Sequence, residues 1–318
     1  MKKTILSIFL SFLIVLTACT PNNQEKDTIA ETKNDTIAET KNDTIVETET
    51  ETIEETETEE EVVVGKFGTT TIWSDELKLD WNVSSYIPDD FNPNNVKVVY
   101  MLHGAYGNHT NFNERTKTVD YLNEYNKNHD QKLIAVFVDG FNSFYIDKNI
   151  NMESAIVKDL IPTFEDMNGI KIDRNNRYVM GISMGGYGTL NFMFKHSDVF
   201  SKGYAISPVV AEELDTSSGI GTWNIFYTDG KFDKNIYTSY HPLTNLENNK
   251  ENMQDIEIYL YAGKQDQVVL LYDVNSFLEK AKDSVKINEK ILDGEHNWTF
   301  WDAQIKSILE NDIYKIEE

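Results

Sequence analysis

Cysteine and basic residues are scarce in this sequence of 318 residues. Cys19 is the only cysteine, so the chain can form no internal disulfide bond. Lysine and arginine together number 29, against 53 aspartates and glutamates, which leaves a formal net charge of -24. Binding to nucleic-acid phosphates needs clustered basic side chains, so this composition argues against a nucleic-acid partner.

Long apolar runs are also missing, apart from one near the N-terminus. Residues 1–18 place Lys2 and Lys3 before an apolar run over residues 5–16, which is the order of a secretory signal peptide. The run is shorter than the roughly 20 residues that a membrane-spanning helix needs. We therefore predict a signal peptide at 1–18 rather than a transmembrane helix.

The signal peptide is followed directly by the lone cysteine, in the stretch LTAC at residues 16–19. This stretch resembles the lipobox of bacterial lipoproteins, in which the cysteine is lipidated and becomes the new N-terminus. The resemblance implies lipidation at Cys19, a membrane partner through that lipid, and an extracytoplasmic place on the cell envelope. The alternative is an ordinary signal peptide with a chance cysteine.

Residues 19–61 form a second compositional class. KNDTIAET at 33–40 is followed by KNDTIVET at 41–48, and acidic Thr/Glu repeats continue to Glu61. Residues 20–61 hold 15 acidic residues and 3 lysines, a net of -12 that is half the charge of the chain. Such a segment has too little apolar surface to fold, so we predict a disordered tether.

The remaining residues, 62–318, alternate apolar strand patterns with helical patterns. Continuous apolar runs predict buried parallel strands at 96–104, 132–140, 176–183, 202–207 and 256–263. A strand with one exposed face is predicted at 78–88 and a last strand at 285–292. Helical patterns between them predict a mostly parallel sheet covered on both faces, with the ligand site at the carboxyl ends of the strands.

The motif with the clearest chemistry is GISMGG at 181–186. It has the form Gly-x-Ser-x-Gly and lies between a buried-type strand and a helical pattern, which is the setting of a nucleophile elbow. The glycines leave room for a sharp turn that presents Ser183. We predict Ser183 as the nucleophile, since a tight turn with an incidental serine explains the context less well.

A serine hydroxyl needs a base, and the base needs an orienting carboxylate. His296 lies between the last predicted strand and the last helix, and Asp266 follows the preceding strand. We predict these two as base and acid. Asp273 is the rival acid, although it lies within a helical pattern, and Asp229 and Asp233 are weaker candidates.

An oxyanion hole needs two backbone N–H donors. We predict Met184, directly after the nucleophile, and Ala105, in the loop after the strand at 96–104, with Tyr106 as the next candidate. His103 in the same loop is predicted to be structural. No histidine pair has metal-ligand spacing with carboxylates, so we predict neither a catalytic metal nor a cofactor.

Several segments together resemble the esterase D-like branch of the α/β-hydrolases, which includes tributyrin-type esterases and feruloyl or acetyl carbohydrate esterases. In the order of that family they are YIP, VVYMLHGAYGNHTNF, VDGFNSFY, GISMGGYGTL, AGKQD and GEHNWTFW. The resemblance implies an α/β-hydrolase fold, carboxyl-ester hydrolysis on a small ester or acylated sugar, and Ser183, Asp266 and His296 as the triad.

The segment 208–255 departs from the family pattern, and we predict that it forms a cap. Trp223, Phe226 and Tyr227 either line the site or pack the interior, and Tyr106 and Trp298 are further candidates for substrate contact. An acyltransferase of the same fold, a serine peptidase and a substrate-binding lipoprotein without catalysis remain alternative functions.

Overall fold

The central element of the fold is a mixed, mostly parallel sheet of eight strands. The computed structural model describes residues 64–214 and 225–313. The strands of the sheet are β1 (Gly65–Ser74), β2 (Leu79–Pro88), β3 (Lys97–Leu102), β4 (Leu133–Val138), β5 (Arg177–Ile182), β6 (Lys202–Ile206), β9 (Glu257–Gly263) and β10 (Ile287–Leu292). Their order is β1-β2-β4-β3-β5-β6-β9-β10, and a separate hairpin joins β7 (Tyr227–Thr228) to β8 (Lys231–Phe232).

Strands β3 to β6, β9 and β10 run parallel, whereas β2 pairs antiparallel with both β1 and β4. In β4 every residue is buried, as a strand covered on both faces requires. Alternate side chains of β3 and β4 enter two separate core clusters, one on each face. The predicted α/β-hydrolase fold is therefore confirmed, with its parallel strands at the predicted places.

The helices cover both faces of this sheet. Their bounds are α1 (Asn111–Arg115), α2 (Thr118–Asn128), α3 (Met152–Ser154), α4 (Ile161–Met167), α5 (Met184–Lys195), α6 (Lys234–Tyr240), α7 (Pro242–Asn249), α8 (Leu271–Ala281) and α9 (Trp298–Ser307). A π-helical segment, Ala155–Leu160, joins α3 to α4. Helices α2 and α9 pack on one face, and α3, α4, α5 and α8 pack on the other. Among the described residues, no helix combines the length and the apolar character needed to cross a membrane.

The N-terminal part of the sheet differs from the prediction. Strand β1 was not predicted, because its Thr-rich sequence carries few apolar residues and most of its side chains are exposed. It covers β2, so β2 lies between two strands and its second half is buried rather than exposed on one face. Ser84 is buried there, but its hydroxyl bonds Thr69 and His109.

The described parts of the predicted cap, 208–214 and 225–255, contribute to the core. Helix α7 packs against α5, and Phe226 is buried against the rings of Phe144, Tyr187 and Tyr237. Of the two alternatives for Phe226, the structure therefore favours packing. Trp223, the signal peptide, Cys19 and the tether lie outside the described residues.

Candidate active site

Ser183 lies at the turn between β5 and α5, with φ 55° and ψ -113°. This strained conformation is rare for a residue with a side chain and is expected of a nucleophile elbow. A Cβ at Gly181 would clash with the carbonyl of Gly185, and a Cβ at Gly185 would clash with the carbonyl of Leu102. The glycines therefore let α5 begin directly against the ends of β5 and β3.

His296 connects this serine to an acid. Its Nε2 lies 2.9 Å from the Ser183 Oγ, and its Nδ1 lies 2.7 Å from Oδ2 of Asp266. A carboxylate only accepts, so Nδ1 carries the proton and Nε2 accepts the hydrogen bond of the serine hydroxyl. The imidazole also meets the ring of Trp301 edge to face at 5.0 Å. In this tautomer His296 can take a proton from Ser183.

Both carboxylate oxygens of Asp266 accept hydrogen bonds. It is 3% exposed, and its Oδ1 accepts the backbone N–H groups of Val268 and Val269 at 2.8 and 2.7 Å. These bonds leave Oδ2 directed to His296. The turn after β9 thus fixes the carboxylate independently of its contact with His296.

The rival acids occupy other places. Asp273 lies in the first turn of α8, where burial and the nearby Glu212 raise the pKa of its carboxyl group. Asp233 caps α6 by accepting from the N–H groups of Asn235 and Ile236, and Asp229 lies in the turn between β7 and β8. Within the described part of the chain, Asp266 is the acid that contacts His296.

Ala105 and Met184 are both close to Ser183: Ala105 lines the same pocket, and Met184 follows Ser183 directly in the chain. Met184 is the first residue of α5, where backbone N–H groups have no acceptor within the helix. A Cβ on Gly104 would lie 3.5 Å from that of Ser183, so the loop of Ala105 packs directly on the serine. The Tyr106 N–H donates to Oδ1 of Asn142 at 2.7 Å, which makes Tyr106 the poorer donor for a substrate.

A pocket of about 240 Å³ opens beside these groups. It is lined by Gly104, Ala105, Asn111, Ser183, Val268, His296, Trp298 and Trp301. Trp298 lines this pocket, whereas Tyr106 is absent from the lining and is 70% exposed. Asn111 and Val268 were not predicted; Asn111 lies within a segment that carries the family resemblance, whereas Val268 lies two residues beyond the AGKQD segment.

The other histidines have structural partners. His103 is fully buried, and its ring bonds the backbone of Gly104 and Gly140, as its predicted structural role requires. His196 bonds Glu153, and His241 caps α7. Over residues 64–214 and 225–313, no group of three or more His, Cys, Asp or Glu side chains is arranged to hold a metal ion.

Comparisons with known proteins find esterases and a serine hydrolase that are similar to this chain in sequence or in fold. An acetyl esterase of Caldicellulosiruptor saccharolyticus is 26% identical over 238 residues, covering 70% of this chain and 85% of that protein. The solved structure of the fluorophosphonate-binding serine hydrolase F of Staphylococcus aureus has a TM-score of 0.67 at 22% identity, covering 79% and 99% of the two chains. A ferulic acid esterase has a TM-score of 0.64 at 21% identity, covering 77% and 96%.

The sequence profile described as "Putative esterase" matches residues 74–311, which is most of the chain. The matched range contains Ser183, Asp266 and His296. The chain therefore belongs to this esterase family and is a carboxylic ester hydrolase.

Proposed function

We propose that the protein is a serine esterase that removes small acyl or aryl-acyl groups, of the acetyl, butyryl or feruloyl type, through an acyl-enzyme at Ser183. The observation that carries the proposal is the continuous hydrogen-bonded chain from Ser183 through His296 to Asp266, with distances of 2.9 and 2.7 Å. It begins at the strained elbow of Ser183 and ends at the buried carboxylate of Asp266, whose Oδ1 accepts two backbone N–H groups.

In the first half of the reaction, Ser183 Oγ attacks the ester carbonyl while His296 Nε2 takes the hydroxyl proton. The carbonyl oxygen becomes an oxyanion, which the N–H groups of Ala105 and Met184 stabilise. His296 then gives its proton to the leaving alcohol oxygen as the carbon–oxygen bond breaks. Asp266 stabilises the imidazolium that exists between these two transfers.

In the second half, a water molecule attacks the acyl-enzyme while His296 takes a proton from that water. The second tetrahedral intermediate collapses, His296 returns the proton to Ser183 Oγ, and the carboxylic acid leaves. The same pair of N–H donors serves both intermediates, since both place negative charge on the same oxygen.

The pocket supports a small acyl group. Its volume of about 240 Å³ lies below the roughly 300–1,000 Å³ of pockets that hold drug-sized ligands. Its wall is mainly apolar, with Val268 and Trp298 at its sides. Acetyl and butyryl groups are small and apolar enough for this space. The alcohol is then a small molecule or a sugar of an acylated polysaccharide outside the pocket.

The test is a panel of acetyl, butyryl and feruloyl esters given to the full chain, with Ser183→Ala as the control. We expect acid release by the wild-type protein and none above background by the variant. Equal release by both proteins would refute the proposal. Adding a sugar acceptor and analysing the products distinguishes hydrolysis from acyl transfer, because transfer yields an acylated sugar in place of the free acid.

We also propose that the mature protein begins at a lipidated Cys19 and is anchored to an envelope membrane. The support is the order of charged residues, apolar run and lone cysteine in residues 1–19, followed by the acidic tether at 20–61. A tether of this composition would hold the esterase away from the membrane, where extracellular esters are accessible.

A further inference from the structure

We infer that Asn142 is a positioning residue that aims the Ala105 N–H at the oxyanion. The inference rests on the proposed function and extends it to the loop after β4, residues 139–145. The Tyr145 hydroxyl of that loop donates to the His103 carbonyl at 3.0 Å, and Asn142 Oδ1 accepts the Tyr106 N–H at 2.7 Å, so the loop bonds the backbone on both sides of Ala105. Sequence reasoning gave it no role beyond the family resemblance.

The peptide before Ala105 is fixed through its carbonyl. The Gly104 oxygen accepts from His103 Nδ1 at 2.6 Å and from the Gly107 N–H at 3.2 Å. The Gly140 N–H donates to His103 Nε2 at 3.0 Å, so the ring proton lies on Nδ1. The described residues contain no cis peptide bond, and in a trans peptide the N–H points away from the carbonyl. Holding the Gly104 oxygen therefore directs the Ala105 N–H to the opposite side.

The peptide after Ala105 is fixed through its N–H. Asn142 Oδ1 accepts the Tyr106 N–H at 2.7 Å. Tyr106 has a φ of 58°, which is costly for a residue with a side chain and persists only where neighbours hold it. The Asn142 amide is one of the contacts that hold it. Ala105 is thus fixed between two bonded peptides, while its own N–H has no acceptor among the described residues.

A donor that is aimed before the reaction stabilises the developing charge without reorganisation. Without the Asn142 acceptor, the Ala105–Tyr106 peptide can rotate and carry the Gly107 N–H away from the Gly104 oxygen. The Gly104–Ala105 peptide then loses one of the two bonds that fix its carbonyl, and the Ala105 N–H loses its direction. The loss acts on the charged intermediates and leaves the uncharged ester almost unaffected. It therefore lowers kcat and changes KM little.

The decisive variants are Asn142→Leu, which removes the acceptor at similar size, and Asn142→Asp, which keeps an acceptor oxygen. With p-nitrophenyl acetate and the full chain, we expect Asn142→Leu to lower kcat about 10- to 100-fold with KM within about threefold. We expect Asn142→Asp to stay within about threefold of wild type. Asn149→Leu changes an exposed asparagine in the following segment and should leave both constants unchanged.

Two further readouts separate positioning from a general structural role. The pH dependence of kcat/KM should keep its wild-type midpoint in Asn142→Leu, because the bonds of His296 are untouched. In an Ala105→Pro background, where the N–H is already missing, Asn142→Leu should cause no further loss of kcat. Circular dichroism and Tm report folding, and Asn142→Ala replaces Asn142→Leu if the larger side chain prevents folding.

An active wild-type protein with an unaffected Asn142→Leu variant would overturn this inference alone. Equal losses in Asn142→Leu and Asn142→Asp, or failure of both Asn142→Leu and Asn142→Ala to fold, would assign Asn142 a structural role and also overturn it. An inert wild-type protein would overturn the proposed function, and the inference with it.

Discussion

The carboxylate of Asp266 receives the Nδ1–H of His296 at 2.7 Å through one oxygen, while its other oxygen accepts two backbone N–H groups of its own turn. The acid is therefore positioned by local structure, independently of the histidine that it serves. Removing its charge should change the chemistry while leaving the fold intact, because an amide oxygen can still accept the two N–H bonds.

Asp266→Asn should lower kcat by up to about 10⁴-fold, as the corresponding change does in serine proteases, because the amide favours the wrong imidazole tautomer. Asp273→Asn is the matched control. It should retain wild-type kcat because Asp273 lies in the first turn of α8, close to Glu212, rather than beside His296. Ester turnover by both folded variants checks the assignment. Full activity in the first variant and collapse in the second would transfer the acid role to Asp273.

Ala105→Pro should lower kcat by about 10²–10³-fold, since proline has no N–H to stabilise the oxyanion. Ala105→Gly keeps the N–H and serves as the control, with an expected loss of less than about tenfold. Steady-state kinetics on p-nitrophenyl acetate measure both. If the proline variant turned over like the glycine variant, the second donor would have to lie elsewhere.

Trp298→Ala should enlarge the pocket and shift acyl preference toward longer chains. Each methylene that the pocket newly accommodates is worth roughly 1–3 kcal/mol in discrimination, so the ratio of kcat/KM for hexanoyl over acetyl ester should rise about tenfold or more. Trp73→Ala, which removes a tryptophan that is 55% exposed on β1, is the control and should leave the ratio unchanged. An unchanged ratio in Trp298→Ala would place the acyl group outside this pocket.

Burial, with a further contribution from Lys202, lowers the pKa of Lys97 to about 8. An unfolded lysine titrates near 10.4, so between pH 8 and that value the unfolded state binds more protons than the folded state. The Lys97 contribution to the free energy of unfolding should therefore rise with pH in this window and be constant below it. Buried tyrosines oppose the trend only as pH approaches about 10.

Urea unfolding at pH 7, 8, 9 and 9.5 tests this sign. The free energy of unfolding of wild type should rise relative to that of Lys97→Met, which carries no titrating group at this position. Lys171→Met removes an exposed lysine, and its difference from wild type should stay constant. A constant difference for Lys97→Met as well would show that Lys97 titrates at its ordinary pKa.

Cys19→Ala should release the protein from the membrane fraction, because the proposed acyl chains provide the attachment. Deleting residues 20–61 should leave turnover of soluble esters unchanged, since the tether predicted from their composition would add nothing to the core. Fractionation of cells and ester assays on both variants provide the measurement. Undiminished membrane attachment of Cys19→Ala would rule out the lipid anchor.

The sequence alone predicted the elements that depend on local patterns. Continuous apolar runs mark the parallel strands, because strands covered on both faces need apolar side chains at every position. The elbow at Ser183 could be predicted because a glycine is needed at Gly185, where α5 touches the end of β3. Ser183, Asp266 and His296 could be predicted because they follow the ends of β5, β9 and β10.

Only the tertiary structure decided the relationships between segments that are distant along the chain. Strand β1 forms by pairing with β2 and has no strong apolar pattern of its own, so its side chains carried no signal. Phe226 is an aromatic residue that suits either a pocket wall or the core, and its contacts with Phe144 and Tyr187 decided between them.

The same holds for the groups around the nucleophile. Asp266 and Asp273 are seven positions apart, and what separates them is the direction in which the turn after β9 holds a carboxylate. The contact of Asn142 with the backbone beside Ala105 spans two loops that follow different strands. A side chain that bonds a backbone N–H far away in the chain leaves no pattern in sequence, because the identity of the residue that carries the N–H does not matter. Such contacts exist only once the sheet has brought the two loops together.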